Sequence, residues 1–379
     1  MILHLLQDDK ITNRMISNFE EALPGENIYM CIIPHDDYNL QYIDVNTYNI
    51  ILQTMSSQPS IDCSIVDKVF IHFLTLQKID FCNKYINESA TIFWGLWGAD
   101  LYNKLLFCRG YRLYSSVNYK SNFKNTFVDF LRIFKFRVIH YHKFAEFINK
   151  RISYIGGLNC DFKLVIKYLR CTNKHHFNIP GYGIDEILGS HLIDKTVDNE
   201  SNLILCGNSA SFTNNHKYVI KYLKRVIDGH SCVKMILSYG GDKKYIKAVI
   251  KNARKNLGSC FDPITEFMPL DTYNTLISSA RICVYGNWRQ EAVGNIVVSL
   301  YLGAKVYLSK YSPLLKELTS IGYKVFVLED ATQKSFYEKL DPKWQLENRK
   351  VAIKTNNHQS IIKEISRLFG NTTSTDTNT

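Results

Sequence analysis

The stretch from Ile282 to Leu308 constrains the fold more than any other part of the sequence, because it predicts a complete βαβ unit. Residues 282–285 are apolar and predict a strand, and the polar loop 286–291 follows. The apolar periodicity from about Ala292 to Leu302 predicts a helix, which Gly303 would end. A second apolar run completes the unit. A strand, a crossover helix and a strand in this order build a parallel sheet.

The loop inside this unit has the features of an anion site. Arg289 and Gln290 lie just before the predicted helix N-terminus, whose free N–H groups attract anions. Gly294, in the first turn, would let a ligand or another backbone segment come close. An ordinary crossover whose loop happens to contain an arginine has the same pattern. The stretch alone therefore leaves both interpretations open.

The composition excludes several classes of protein. With 379 residues the chain is long enough for two domains, and 46% hydrophobic against 21% charged residues is typical of a folded protein. No apolar run reaches the length of about 18 residues that would predict a membrane span. The N-terminus lacks the basic region and cleavage site of a signal peptide. Ten cysteines without a CxxC pair predict buried, reduced thiols in a cytosolic protein.

The net charge of +11 is concentrated in one segment. Between Leu101 and Arg151 there are eleven Lys or Arg residues and only two carboxylates, so this segment carries +9, and it also contains thirteen Phe or Tyr residues. Such a mixture favours an anionic surface. We prefer an anionic membrane to nucleic acid, because the aromatics are mainly Phe at helical spacing and no RNP-like strand is present. The alternative is a helical pair with a solvated basic face and an aromatic core face.

The first half of the chain predicts an α/β arrangement. Strands are predicted at 2–6 and 27–33, on either side of a helix near Thr12 to Leu23. No GxGxxG follows the first strand, so a dinucleotide site is not supported. A further strand, Lys68 to Leu74, contains His72, which is either a buried histidine with satisfied hydrogen bonds or a proton acceptor.

The strand predicted at 90–94 and the loop after it bring together two tryptophans and one carboxylate. The loop lies at the carboxyl end of a strand, where α/β sheets place ligands. Tryptophan rings such as that of Trp97 stack on the apolar faces of sugars. Asp100 could be a catalytic base, a ligand of a sugar hydroxyl or the N-cap of the following helix.

A second α/β unit begins after a predicted linker, 181–195. The strand 202–206 leads into the loop 207–216, which is rich in Ser, Thr and Asn, and then into a helix. These side chains are ordinary helix caps, but they also supply the hydroxyl and amide groups that a diphosphate site needs. Tyr239 and Tyr273 lie in two further predicted loops of this half.

The two halves together indicate a nucleotide-sugar enzyme. Glycosyltransferases of the GT-A class normally carry a DxD motif for a metal ion, and no two Asp residues in this chain are spaced i, i+2. The sequence therefore favours the metal-independent GT-B class, in which helix dipoles and basic groups neutralise the diphosphate leaving group. We expect an α/β protein with the GT-B glycosyltransferase fold, two Rossmann-like domains facing across a cleft.

Several motifs resemble one family of transferases. LWGADLY (96–102), GNS-x3-TNNH (207–216) and RQEAVGNI (289–296) are similar to the 4-acetamido-4,6-dideoxygalactose (Fuc4NAc) transferases of glycosyltransferase family 56, which act in enterobacterial common antigen synthesis. The opening LHLLQDD and the FIH around His72 also resemble that family. The motifs stand in the same order over most of the chain.

The resemblance implies a peripheral enzyme at the cytoplasmic face of the bacterial inner membrane. Its donor would be a dTDP-sugar or UDP-sugar, and its acceptor a saccharide linked to undecaprenyl diphosphate. It would be a metal-independent hexosyltransferase without a cofactor, moving Fuc4NAc or a fucose-like sugar in O-antigen or common-antigen synthesis. This chain has Ala292-Val293-Gly294-Asn295 where the family tends to have Gly-Ile-Gly-Thr, and Asn215 replaces an acidic residue. These departures leave the identity of the sugar open.

The resemblance and the loop positions together assign residues to roles. The catalytic candidates are Asp100, Asp9 and His72. The donor-binding candidates are Gly207, Asn208, Ser209, Asn214, His216, Tyr239, Tyr273, Arg289, Gln290, Gly294 and Asn295. The acceptor-binding candidates are Asn13, Arg14, Trp97, Gly98, Lys135 and Arg137. We rank Asp100 and Asp9 above His72, because both are predicted on loops at strand ends.

We expect four parts in the chain. They are an acceptor-binding, membrane-facing domain (1–185), a nucleotide-sugar-binding domain (196–343), a terminal helical region that could pack back on the first domain (344–369) and a disordered tail (370–379). Two other functions share some of these features. A sugar-nucleotide epimerase with a GT-B-like fold would have the same donor loops, and a nucleic-acid-binding protein would use the same basic segment.

Overall fold

The computed structural model describes residues 1–45, 47–119, 123–189 and 191–370; for residues 118, 119 and 123–130 the description is limited to the backbone. The chain divides into two compact units. The N-terminal unit comprises residues 1–101 and 137–183 and the chain from His358 onward, and the C-terminal unit comprises residues 102–136 and 184–357. Each unit is built around one parallel sheet.

The N-terminal unit opens with alternating strands and helices. In chain order they are β1 (Ile2–Leu6), α1 (Thr12–Ala22), β2 (Asn27–Ile33), β3 (Ile50–Thr54), β4 (Lys68–His72), α2 (Leu76–Tyr85) and β5 (Thr91–Gly95). Next in the chain come a π-helix (Leu101–Leu106), α3 (Ser116–Tyr119) and α4 (Phe123–Ile139), most of whose residues belong to the C-terminal unit, and then α5 (Tyr141–Lys150) of the N-terminal unit. The unit continues with β6 (Ile152–Gly156), α6 (Asn159–Leu169) and β7 (His175–Phe177). The sheet order is β3-β2-β1-β4-β5-β6-β7, so the strand order reverses between β1 and β4.

The N-terminal sheet is apolar because helices cover both of its faces, as is usual for parallel sheets. The sequence of β1, ILHLL, is buried along its whole length. Helix α1 buries Met15, Ile16 and Phe19 at helical spacing. The last helix of the chain, described below, packs its Phe369 ring 5.1 Å from that of Phe19.

The C-terminal unit repeats the same pattern. Its elements are α7 (Ile184–Leu188), β8 (Leu203–Cys206), α8 (His216–Val226), β9 (Cys232–Ile236), α9 (Lys243–Leu257), β10 (Phe261–Ile264), α10 (Leu270–Ser279), β11 (Ile282–Tyr285), α11 (Val293–Tyr301), β12 (Lys305–Leu308), α12 (Pro313–Ile321), β13 (Phe326–Val327), α13 (Gln333–Tyr337) and α14 (Pro342–Thr355). The sheet order is β10-β9-β8-β11-β12-β13, with every described pair of neighbours parallel. The βαβ unit predicted over Ile282 to Leu308 is therefore confirmed as β11-α11-β12.

Two predicted regions have more internal structure than the sequence indicates. The predicted linker 181–195 contains α7. The predicted terminal region 344–369 consists of α14, in the C-terminal unit, and α15 (His358–Phe369), in the N-terminal unit. The predicted disordered tail lies, beyond Gly370, outside the described residues. No helix in the described parts of the chain combines the length and the apolar character needed to cross a bilayer.

Candidate functional site

The C-terminal sheet brings the two predicted donor loops together. Strands β8 and β11 are parallel neighbours, with Ile282 opposite Ile204 and Val284 opposite Cys206. The strand order reverses between them, so the loops that leave β8 (207–215) and β11 (286–292) start side by side at one edge of the sheet. Open α/β sheets bind ligands at such switch points.

Two glycines allow close contacts at these loops, one inside the β8 loop and one between the two loops. Gly207 has a left-handed φ of +67°, and a Cβ there would stand 2.9 Å from Asn214 Oδ1. A Cβ on Gly286 would stand 2.6 Å from the backbone oxygen of Asn214. A larger residue at Gly207 would collide inside the β8 loop, and one at Gly286 would push the β11 loop away from the β8 loop, so both glycines are required by close approach.

Asn214 organises the first loop from inside. Its Oδ1 accepts a hydrogen bond from the backbone N–H of Asn208 (3.2 Å), and its Nδ2 donates to Ser209 Oγ (3.1 Å). The side chains of Ser209 and Asn214 are buried. The structure therefore places these predicted donor-binding residues together, with Ser209 and Asn214 shaping the loop and Asn208 at its half-buried edge.

Glu291 is a residue that the sequence analysis missed. Its Oε2 accepts hydrogen bonds from Thr213 Oγ1 (2.5 Å), Asn287 Nδ2 (2.8 Å) and Arg289 Nε (3.0 Å). It thereby ties the β8 loop to the β11 loop. The signal in the sequence was its position two residues after Arg289, but a carboxylate in an anion site suggests repulsion and was not assigned a role.

Arg289 is held on two sides. Its side chain is 12% exposed and that of Glu291 is 10% exposed, so this ion pair is largely shielded from solvent. The Nη1 group donates to Asn103 Oδ1 at 3.3 Å. Such fixed guanidinium groups suit the recognition of phosphate oxygens. The pairing means that Arg289 enters the site oriented and partly neutralised, which its sequence position did not predict.

The first turn of α11 is open. Ala292, the residue before the helix, has a left-handed φ of +62°. Gly294 is exposed, and a Cβ there would meet no atom within 4 Å. Of the two possibilities that the sequence left open for Gly294, a ligand or another backbone segment, no backbone segment comes close to its Cβ position, and the space there is open. Gln290 lies half-buried in the same loop.

The remaining donor candidates lie around this switch point. Asn295 Nδ2 donates to the hydroxyl of Tyr273 at 2.9 Å, and burial raises the pKa of Tyr273 well above its usual value. His216 Nδ1 lies 2.8 Å from the hydroxyl of Tyr245, and burial lowers the pKa of His216 to about 4. His216 is therefore neutral at physiological pH. Tyr239 is 46% exposed.

Asp100, in the N-terminal unit, is buried with both carboxylate oxygens in use. Oδ2 accepts hydrogen bonds from Trp94 Nε1 (2.9 Å) and from the backbone N–H of Leu74 (3.1 Å). Oδ1 accepts from the backbone N–H of Trp97 (3.1 Å). Burial raises the pKa of Asp100 against the effect of these bonds. These contacts favour the interpretation of Asp100 as a cap that joins two loops, and they disfavour its role as an accessible base.

His72 is also buried, as the simpler interpretation predicted, but its hydrogen bonds are only partly satisfied, because Nδ1 has no partner among the described residues. Its Nε2 lies 3.1 Å from Nδ1 of His4, whose Nε2 lies 3.1 Å from Asn27 Oδ1. Burial lowers the pKa of His4 to about 3 and that of His72 well below its usual value. The ring of Trp97 lies 6.1 Å from that of His72. Both histidines are therefore neutral at physiological pH.

Asp9 is the exposed carboxylate among the three catalytic candidates. It follows β1, next to the point where the N-terminal strand order reverses, and its Oδ1 accepts from the backbone N–H of Ile11 at 3.3 Å. Its neighbour Asp8 instead accepts three backbone N–H bonds from residues 41–43 and holds that loop. Asp9 is therefore the candidate whose position leaves it open to a substrate.

The acceptor candidates of the N-terminal unit differ in their exposure and in their contacts. The side chain of Asn13 has a structural role. Its Nδ2 donates to the backbone oxygen of Tyr42 (2.8 Å), and its Oδ1 accepts from the backbone N–H of Asp44 (3.1 Å). Arg14 is half-buried in the first turn of α1. Trp97 is half-buried, and Gly98 adopts a left-handed φ of +82° in the turn before Asp100.

Lys135 and Arg137 lie exposed on α4. The same helix exposes Leu131 (49%), Phe134 (58%) and Val138 (65%), whose spacing places them along one stripe. An exposed apolar stripe flanked by cations is typical of a helix that lies on a membrane surface. The alternative interpretation, a solvated basic face and an aromatic core face, does not account for Phe134, which is exposed. Lys120 and the side chains of Phe123, Lys124, Phe127 and Phe130, which belong to the same basic segment, lie outside the described residues.

Comparison with known proteins adds to this geometry. A family model described as 4-alpha-L-fucosyltransferase glycosyl transferase group 56 matches residues 131–365, more than half of the chain. No curated protein matches the sequence.

Solved structures share the fold at low sequence identity. A glycosyltransferase from Rickettsia africae ESF-5 has 10% identity and a TM-score of 0.60, with 98% of each chain covered. Anabaena Alr3699/HepE in complex with UDP and glucose has 11% identity and a TM-score of 0.59, with 97% of this chain and 98% of that chain covered. WaaG, a glycosyltransferase involved in lipopolysaccharide biosynthesis, has 10% identity and a TM-score of 0.55, with 98% of this chain and 100% of that chain covered. The predicted GT-B fold is confirmed by these likenesses.

Proposed function

This chain belongs to glycosyltransferase group 56, the 4-alpha-L-fucosyltransferase family, and on that premise we propose which sugar transfer it carries out. The sugar is a deoxy or acetamido sugar, Fuc4NAc or a fucose-like one, and it moves from a dTDP-sugar or UDP-sugar. The acceptor is a saccharide linked to undecaprenyl diphosphate. The reaction is a metal-independent hexosyl transfer in the synthesis of a bacterial surface polysaccharide, O-antigen or enterobacterial common antigen, at the cytoplasmic face of the inner membrane.

The observation that carries this proposal is the position of Arg289 beside the open first turn of α11. In the proposed complex the donor diphosphate lies against that turn, where helix N–H groups and the guanidinium face the same oxygens. As the glycosidic bond to the nucleotide breaks, negative charge grows on the diphosphate. Fixed donors aimed at growing charge lower the barrier more than mobile ones do.

The nucleoside end of the donor lies against Tyr239 and the Tyr273–Asn295 pair. Tyr239 offers an exposed ring for stacking on a base. The Tyr273 hydroxyl already accepts a hydrogen bond from Asn295 and keeps its own O–H to donate to a ribose oxygen. The complex of HepE with UDP and glucose supports a sugar nucleotide as the ligand class.

Asp9 is the proposed general base. Its carboxylate is exposed at the end of β1, whereas Asp100 and His72 are buried and hydrogen-bonded. Asp9 accepts the proton of the acceptor hydroxyl as that oxygen bonds to the anomeric carbon. The nucleoside diphosphate leaves with the electron pair of the broken bond. Asp100 then serves as the cap that holds the loop carrying Trp97 and Gly98.

The acceptor lipid requires contact with a membrane, and the basic segment 101–151 supports it. In α4 the exposed stripe of Leu131, Phe134 and Val138 enters the interface while Lys135 and Arg137 meet anionic headgroups.

Thermal unfolding with a panel of nucleotides tests the proposal. A ligand that binds only the folded state raises the midpoint of unfolding. We expect dTDP or UDP to raise it and NAD to leave it unchanged. A sugar-nucleotide epimerase would show the same nucleotide shifts, but it would neither bind anionic vesicles nor transfer the sugar to a lipid-linked glycan. The proposal is overturned if no nucleoside diphosphate shifts the midpoint.

A further inference from the structure

The segment 102–116 forms a strap fixed to both donor loops of the C-terminal unit. The hydroxyl of Tyr111 donates to the backbone oxygen of Trp288, the residue before Arg289, at 2.9 Å. Asn215, at the end of the β8 loop, accepts a hydrogen bond from the backbone N–H of Ser115 (2.9 Å). The strap therefore lies beside the proposed diphosphate site, although these two contacts join residues that are 100 and 177 positions apart in the sequence.

The strap contains a pocket of about 490 Å3. Most of its wall is ring and aliphatic carbon, and its lining includes Phe107, Tyr111, Arg112, Leu113, Tyr114 and Ser116. The ring of Tyr114 is held against Phe212 of the β8 loop, with centroids 4.9 Å apart. A pocket of this size and character is in the range that holds a small organic ligand.

The segment that contains the pocket has charged residues of one sign only. The sequence contains no Asp or Glu from Leu101 to Val128, while Lys104, Arg109 and Arg112 all lie exposed. The guanidinium of Arg112 lies over the ring of Trp288, 5.3 Å from its centroid, which fixes a cation at the rim. An apolar pocket with a cationic rim and no carboxylate complements a ligand that has an apolar chain and an anionic head.

We propose that this pocket binds a single isoprenyl phosphate chain, with the isoprene units between Phe107, Tyr111 and Tyr114 and the phosphate against Arg112. The inference rests on the proposed function, because a lipid-linked acceptor is what brings such a ligand to this protein. It assigns the lipid of the acceptor to the strap, beside the donor loops, in addition to the membrane contact of α4. The pocket can enclose a single isoprenyl chain, whereas a flat bilayer surface would contact only the rim of the pocket.

The test uses the full chain and farnesyl diphosphate, with farnesol and inorganic diphosphate as the two halves of the ligand. Binding is measured by isothermal titration. We expect farnesyl diphosphate to bind about tenfold more tightly than either half, since both the apolar and the charged contacts contribute. Arg112→Glu and Ser116→Trp, which reverse the rim charge and fill the pocket, should each weaken binding by about tenfold or more.

Lys104→Glu is the matched control, because it makes the same charge reversal on the strap without lining the pocket. It should change the affinity for farnesyl diphosphate by no more than about twofold. An equal loss in Lys104→Glu and Arg112→Glu would mean a general basic surface and would overturn the proposal. So would the absence of farnesyl diphosphate binding in a protein that dTDP or UDP stabilises, and that result would leave the proposed transferase standing. If no nucleotide stabilises the protein, only the proposed function is refuted. The comparison of Arg112→Glu with Lys104→Glu still tests whether the pocket binds farnesyl diphosphate.

Discussion

Arg289 and Glu291 form an ion pair in which Nε lies 3.0 Å from Oε2 and both side chains are largely shielded from solvent. The pair connects the β11 loop to the β8 loop through Thr213, which donates to Glu291 Oε2, and Asn287 of the β11 loop donates to the same oxygen. A diphosphate at the N-terminus of α11 therefore meets a guanidinium whose direction is already set. The ion pair fixes the orientation of the guanidinium, but it also neutralises part of the positive charge of the site.

Arg289→Ala should lower the rate of sugar transfer by about 100- to 1000-fold, the usual effect of removing one fixed donor to a developing anion. The physical reason is the loss of the guanidinium that faces the leaving diphosphate. The measurement is turnover with a dTDP-sugar and a lipid-linked acceptor. Arg254→Ala, an exposed arginine on α9, is the control and should be neutral. Turnover within threefold of the unaltered protein would remove Arg289 from the mechanism.

Glu291→Ala should lower the free energy of unfolding by about 1–3 kcal/mol, because buried donors on Thr213 and Asn287 lose their acceptor. Urea denaturation measures the change. Glu291→Gln keeps one acceptor oxygen and should cost less. Glu347→Ala removes an exposed carboxylate that pairs with Lys350 and should cost at most about 1 kcal/mol. Equal losses for Glu291→Ala and Glu347→Ala would contradict the role of Glu291 as a connector.

Asp9 and Asp100 should respond in opposite ways to the same change. Asp9→Asn should reduce transfer by about 100- to 10 000-fold without changing stability, since it removes an exposed base. Asp100→Asn should lower the free energy of unfolding by about 1–3 kcal/mol, because its amide would face the N–H groups of Trp94 or Leu74. Turnover and urea denaturation are measured on both variants. The reverse pattern would restore Asp100 as the base.

The buried histidines should make the protein acid-sensitive. The folded pKa of His216 is lowered to about 4, so the stability associated with it is present above the unfolded value of 6.5 and is lost as pH falls towards 4. Each such histidine contributes a slope of about 1.4 kcal/mol per pH unit in that window. His216→Gln should reduce the slope of unfolding free energy between pH 6 and 5 by that amount. His230→Gln, at an exposed site, should leave it unchanged, and an unchanged slope in His216→Gln would refute the assignment.

The double charge reversal Lys135→Glu/Arg137→Glu should abolish co-sedimentation with anionic vesicles, because both cations lie exposed beside the apolar stripe of α4. Lys251→Glu/Lys255→Glu makes the same change on exposed residues of α9 and serves as the control. Salt-sensitive RNA binding without vesicle binding would instead favour a nucleic-acid partner. Equal losses in the two double variants would point to net charge rather than to α4.

The fold was largely predictable because its signals are local. The run from Ile282 to Leu308 contains both strands, the helix and its end, so the βαβ unit could be read from periodicity. The two donor loops could be found because parallel strands place their carboxyl ends at one edge. The division of the last two helices between units could not, because it depends on which core Phe369 enters.

The candidate site was less predictable, since burial and pairing are properties of distant contacts. Asp100 and Asp9 both follow predicted strands, yet only Asp100 accepts hydrogen bonds from Trp94 and Leu74. In the sequence, the carboxylate of Glu291 would be expected to repel a phosphate bound at this loop. Only the structure shows that three donors bind this carboxylate. The strap 102–116 belongs to the C-terminal unit through hydrogen bonds to Asn215 and Trp288, and neither partner is close in sequence.

The division of the chain into interleaved segments limits how the gene can be dissected. A fragment ending at residue 185 would lack α15, and with it the Phe369 ring that packs on Phe19 and Phe93. The complementary fragment would lack the strap, since residues 102–116 would remain with the other piece. Neither half contains all of its own unit, so separate expression would yield two incomplete cores. Only co-expression, or a permuted gene that keeps each unit's segments together, would deliver intact units.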